Sequence, residues 1–166
     1  MTQTEWLVKA MGMAFERGRG LWADSLLDVL DGLTAEQAAW KPQGGGTRSI
    51  WEIVRHVTFW KDALRQRLEG GPWADTSGHE EKGWPPVTDT SEEAWAETLK
   101  HLRRSHEALV QAVSRLADEQ LDEPFPGEEE PIGEHLLGVI AHDTYHTGQI
   151  LTLRQLQGRG EGEAHA

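Results

Sequence analysis

The sequence predicts an all-α domain built from four helices. Three observations carry this: apolar residues recur at steps of three and four along four stretches, two stretches open with a capping box, and strand-like alternation is absent. The first stretch runs from about Thr4 to Asp31, with Gly18 and Gly20 weakening its middle enough to break it into two pieces. The second opens with Ser49 and Glu52, carries Ile50, Ile53, Val54, Val57, Leu64 and Leu68 on one face, and ends before Gly70-Gly71-Pro72. The third opens with Thr90 and Glu93 and follows Trp95, Leu99, Leu102, His106, Leu109, Val113 and Leu116. The fourth follows the acidic loop Glu128-Glu129-Glu130-Pro131, has its stripe at Ile132, Leu136, Val139, His142, His146, Ile150 and Leu153, and frays after Leu156. No repeat is evident. Connections of roughly 15 to 20 residues are long for helix pairs in a bundle, so they should cross over or cap one end.

A chain of 166 residues and 18.6 kDa is expected to build one core. The net charge of −12 argues against nucleic acid as a partner, since phosphate binding needs a basic face. Neither a signal segment nor an apolar run long enough to span a bilayer is evident, so no membrane contact is expected and the cytoplasm is the expected compartment. Among eight tryptophans, Trp40, Trp73 and Trp84 fall in loops and Trp51 lies off its helix's apolar stripe. Such aromatics cover the ends of a bundle, form a subunit interface or wall a ligand pocket.

Two positions of the fourth stripe are imidazoles where a core would place Leu or Val. His142 and His146 stand one turn apart, so both can present a nitrogen to one ion, the spacing used by zinc-protease helices. The spacing alone is a weak signal. A third candidate is His56, at the edge of the second stripe beside Ile53 and Trp60, where a side chain can turn into an interhelical groove. Without Cys, any first-row metal must use His and carboxylate ligands. His135 shares the face of His142, but seven residues of rise set it roughly 10 Å away, too far for the same ion. His106 reads as a hydrogen-bonded core histidine or as a lining residue of the pocket. His79, His101 and His165 read as solvated.

Taken together, these motifs resemble the DinB/YfiT-like superfamily. The likeness rests on Ser49-Ile50-Trp51-Glu52-Ile53-Val54-Arg55-His56, on Trp84-Pro85-Pro86 leading into Thr90-Ser91-Glu92-Glu93-Ala94-Trp95, and on His142-Asp143-Thr144-Tyr145-His146-Thr147-Gly148-Gln149-Ile150. The segment from Gly32 to Pro42 is also typical, and the resemblance covers nearly the whole chain. It implies a four-helix bundle, often a homodimer, holding one divalent metal ion, nickel or zinc, through one histidine of the second helix and two of the fourth. Position by position these are His56, His142 and His146. Residues 1–157 then form the single domain, and 158–166 a disordered tail.

Three neutral imidazoles leave the ion's charge uncompensated, so it lowers the pKa of bound water toward ~7 and deprotonates a bound thiol outright. The resemblance favours transfer of a low-molecular-weight thiol to a small electrophile, because characterised relatives are thiol-dependent transferases and isomerases. A hydrolase using metal-bound water is the alternative, and a non-catalytic metal-binding or stress-related module the second. No catalytic residue is assigned. Asp143 stands where a zinc protease carries its general base, but it is short and drifts from the face of the pair, so it and Glu52, one turn before His56, are expected instead to orient an imidazole.

Overall fold

The computed structural model of the protein describes residues 1–20, 22–73 and 80–163. It is all-helical, with α1 (Gln3–Phe15), α2 (Leu26–Val29), α3 (Ala35–Ala39), α4 (Ile50–Leu68), α5 (Glu92–Val113) and α6 (Ile132–Glu163), and no strand among the described residues. The four long helices form the bundle: α4 packs on α5 and α6, and α1 on the other flanks of the same two helices. Helices α1 and α4 are therefore diagonal, as are α5 and α6, and the connections 16–49 and 114–131 cross the bundle as their lengths require.

The helix expected from Thr4 to Asp31 is two elements. Chain direction changes at Glu16, which is extended at φ −77° and ψ 141°, and at Gly18, whose φ of 68° suits glycine. The Gly18 N–H then donates to Asp28 Oδ1 at 2.9 Å, tying the start of α2 back to the end of α1. Helix α4 opens as its sequence predicts, with Ser49 Oγ accepting from the Glu52 N–H and Glu52 Oε2 from the Ser49 N–H. Helix α5 is capped one residue later than expected. Ser91 Oγ accepts from the Ala94 N–H, and Asp89 Oδ1 holds the Ser91 N–H, so Thr90 is not needed. Helix α6 continues past the expected end near Leu156 to Glu163. Once a helix is nucleated, Gly158 and Gly160 each weaken its propagation by only ~1 kcal/mol.

Two apolar clusters fill the bundle. One gathers Leu26, Leu30, Ile50, Val54, Val57, Trp95, Leu102 and Ile150, and the other Met11, Leu64, Leu109, Val113, Leu136 and Val139. Between them every long helix except α1 turns polar on its inner face: Lys61 on α4, Ser105 and His106 on α5, Asp143, His146 and Thr147 on α6, all buried. Trp51, expected off the core, is 1% exposed. It lies between α4 and α5 against Trp95, and its indole N–H donates to Thr98 Oγ1 at 3.0 Å.

Candidate metal centre

Three imidazoles meet at the polar layer. His56 comes from the middle of α4 and His142 and His146 from successive turns of α6, and one ring nitrogen of each lies within 4.8 Å of the others. His142 Nε2 stands 3.0 Å from His56 Nε2 and 3.0 Å from His146 Nε2. Nitrogens bound to a tetrahedral ion at ~2.0–2.1 Å would be about 3.3 Å apart, so the rings need open only slightly to hold one.

Their outer nitrogens fix the tautomers. His56 Nδ1–H donates to the Gly83 carbonyl at 2.6 Å, and His146 Nδ1–H to Gln149 Oε1 at 2.7 Å, whose amide nitrogen donates to the Tyr145 hydroxyl at 2.9 Å. Both Nε2 atoms then carry lone pairs that face His142 Nε2, which can donate a proton to only one of them. A cation between the three removes the conflict, and the bonded outer nitrogens are the usual orienting partners of metal-binding imidazoles. Burial favours the neutral rings a metal needs. It lowers the pKa of His56 to about 4, against the Gly83 bond and with help from His146 and Arg48, and that of His142 to about 3, with help from His146, His56 and Lys61. His146 is also lowered by burial, which outweighs its bond to Gln149 and the charge of Asp143. The donor set fits a divalent ion, and no fourth His, Asp or Glu among the described residues joins it, so one coordination position would stay open.

Aromatic side chains surround the triad. Trp84 stacks on His56 with centroids 3.7 Å apart and planes 8° from parallel, and Arg48 lies over the Trp84 ring, 4.8 Å from its centre. A pocket of about 250 Å³ opens between α4 and α6, walled by Trp60, Leu64, Trp73, Val139, His135 and His142. His142 thus belongs to both triad and pocket.

The sequence profile of the DinB superfamily matches residues 20–150. The chain belongs to the DinB superfamily. A search of curated proteins finds no match. Among solved structures, "Crystal structure of colibactin self-resistance protein ClbS in complex with a dsDNA" matches with a TM-score of 0.69 over 93% of this chain and 97% of that one, at 17% identity. That likeness shows a shared fold. It also overturns the exclusion of nucleic acid drawn from net charge, because a protein of this fold is solved on a DNA duplex. Net charge is a sum over the surface, whereas phosphate contact depends on where cations stand locally.

In this DinB chain the other candidates lie as follows. Asp143 is 2% exposed and bonded to Lys61 Nζ at 2.5 Å, so its described partner is an ammonium and not an imidazole. Burial pushes the Asp143 carboxyl up, and the Lys61 charge opposes it. Glu52 caps α4 and pairs with Lys41 at 2.7 Å and Arg48 at 3.5 Å, while the Gly83 carbonyl accepts the His56 Nδ1–H bond. His106 is a core residue, 3% exposed, stacked on Phe15 at 3.6 Å and outside the pocket wall. His135 walls the pocket beside Trp73 and Phe125, away from the triad. His101 is exposed and bonded to Asp62 at 3.1 Å, while His79 and His165 lie outside the described residues. Sequence reasoning missed Lys61, Gly83, Gln149 and the Trp84 stack. Only Lys61 left a plain signal, as a charge on the stripe between Val57 and Leu64.

Proposed function

We propose that His56, His142 and His146 hold one divalent ion, nickel or zinc, and that the protein transfers a low-molecular-weight thiol to a small electrophile bound in the adjoining pocket. The observation that carries this reading is the convergence of three neutral imidazole nitrogens, one of them on His142, which also walls a largely apolar pocket. Bound there, the ion would supply Lewis acidity, enough to deprotonate a thiol at neutral pH. The chain's part is to seat an apolar electrophile between Trp60 and Trp73, exclude water and hold the imidazoles unprotonated. In the transfer a sulfur–carbon bond forms as the electrophile's carbon–halogen or epoxide carbon–oxygen bond breaks, the halogen or oxygen keeping the electron pair. A halide departs and the thiol proton goes to solvent, whereas an epoxide oxygen stays attached and takes up a proton. Thiol chemistry is preferred over hydrolysis on the resemblance of the motifs to thiol-dependent relatives; Asp143 and Glu52 are engaged by Lys61 and Lys41, so neither is assigned a proton-transfer role. The protein is further read as a homodimer.

Metal analysis after nickel or zinc loading should give one ion per chain, lost in the His56→Ala and His146→Ala variants. Loaded protein should consume a haloalkane or epoxide only when a small thiol is present. Ester cleavage without thiol would favour the hydrolase, and inertness across such a panel the non-catalytic module. Duplex DNA is a second reading, favoured by the neighbour's dsDNA complex, although the α4–α5 groove sets Asp62, Asp89 and Glu97 beside Arg55, Arg65 and Arg104, with Arg65 bound to Glu69 and Arg104 to Glu97. A gel shift that weakens steeply with salt supports it, and no shift at low salt rejects it.

A further inference from the structure

We propose that the buried Lys61–Asp143 ion pair is the register lock of the imidazole triad, a positioning device that holds α4 and α6 at the one mutual rotation where His56 meets His142 and His146. This rests on reading the triad as a metal site. The pair joins the same two helices as the triad: Lys61 follows His56 by five residues on α4, and Asp143 sits between His142 and His146 on α6. Its side chains are 0% and 2% exposed, with Nζ 2.5 Å from Oδ2. The ammonium reaches the remaining long helices as well, 3.5 Å from His106 Nδ1 on α5 and 4.9 Å from the Phe15 ring centre on α1.

An apolar contact at this place would tolerate rotation or sliding of α6, because Leu and Met repack with little loss. A desolvated ion pair does not, since any movement that parts the charges leaves both uncompensated in a low-dielectric interior. Replacing such a pair with well-packed apolar residues is often neutral or stabilising, so stability alone gives little reason for charges between two apolar clusters. Their placement beside the triad points to geometry. Converging ring nitrogens are sensitive to a helix rotation that the apolar clusters would accommodate.

The test compares wild-type protein with Lys61→Met and with Lys61→Met/Asp143→Leu, measuring thermal stability, nickel and zinc affinity by calorimetry, and the visible spectrum with cobalt bound. The single variant should be less stable, because it strands a buried carboxylate, and the double should regain wild-type stability. The double should nevertheless bind nickel about 10 to 100-fold more weakly, the usual effect of losing a group that orients metal ligands, with an altered cobalt spectrum. Wild-type affinity and spectrum in the double variant overturn the proposal. Should the double variant fail to fold, Asp143→Asn takes its place: about tenfold weaker nickel binding at unchanged helix content supports the lock, and unchanged binding overturns it. Wild-type protein that takes up no metal removes the metal reading and the lock together, an outcome distinct from equal binding by wild type and variant.

Discussion

Each imidazole of the polar layer is held neutral by burial, and that ties the fold to pH. In the unfolded chain these histidines take up protons as pH falls through about 6.5, whereas in the fold His106 and His142 stay neutral to about 3 and His56 to about 4. Between those limits the unfolded state binds more protons, so stability is full above about pH 6.5 and is lost as pH falls. The denaturant midpoint of chelated protein should therefore decline steadily from pH 7 to pH 4. His106→Phe, which keeps a ring on Phe15, should flatten that decline; a midpoint that holds level over this range in the wild type would contradict the argument. At this scale His142 and His146 were legible because polar side chains interrupted an apolar stripe, and His56 only as a histidine at the edge of another. The same rule applied to α4 would have found Lys61, which stands one turn after Val57 and three residues before Leu64. Gly83 offers His56 only a backbone carbonyl and Gln149 offers His146 only an amide oxygen, so neither residue type announces its role.

Helix starts read well from the sequence where a single residue can supply the cap. At Ser49 the hydroxyl and the Glu52 carboxylate satisfy each other's backbone donors, and Ser49 is 2% exposed, so water cannot replace it. Ser49→Ala should cost ~1 kcal/mol and lower Tm by about 2 to 4 °C, while metal stoichiometry stays at the wild-type value because His56 lies two turns on. A differential scanning trace unchanged from wild type would show that Glu52 alone suffices. Where two neighbouring residues can cap, as at Thr90 and Ser91, the outcome depends on a third side chain, here Asp89, and sequence spacing cannot choose. The broken first helix was foreshadowed by Gly18. What the pattern could not give was the separate capping box of α2, whose Asp28 serves Ser25 and Gly18 at once.

Across the whole molecule, the two apolar clusters lie on either side of the polar layer, and neither includes a histidine of the triad. If the proposed metal-dependent transfer holds, chelation should abolish it while the far-UV circular dichroism of an α-helix persists, and wholesale loss of helix would contradict this. The diagonal order of the helices was only hinted at by long connections, because periodicity names a buried face without naming its neighbour. The outward face of α6 decides the last expectation. From Leu137 through Ala141, Tyr145, Gly148 and Thr152 to Leu156 it carries no charged side chain, and Leu137, Tyr145 and Leu156 are 57%, 62% and 39% exposed. Glycine at 148, where a Cβ would meet nothing, lets another helix approach closely. An apolar helical stripe of that length is costly to leave in water, and on a two-fold axis it would meet its own copy, supplying part of the ~800 Å² per partner that a stable dimer buries. Sedimentation equilibrium at micromolar concentration should thus return twice the 18.6 kDa chain mass, and Leu137→Arg/Thr152→Arg should return the single mass with helix content unchanged. A wild-type mass near 18.6 kDa would reject the dimer and leave the stripe as monomer surface.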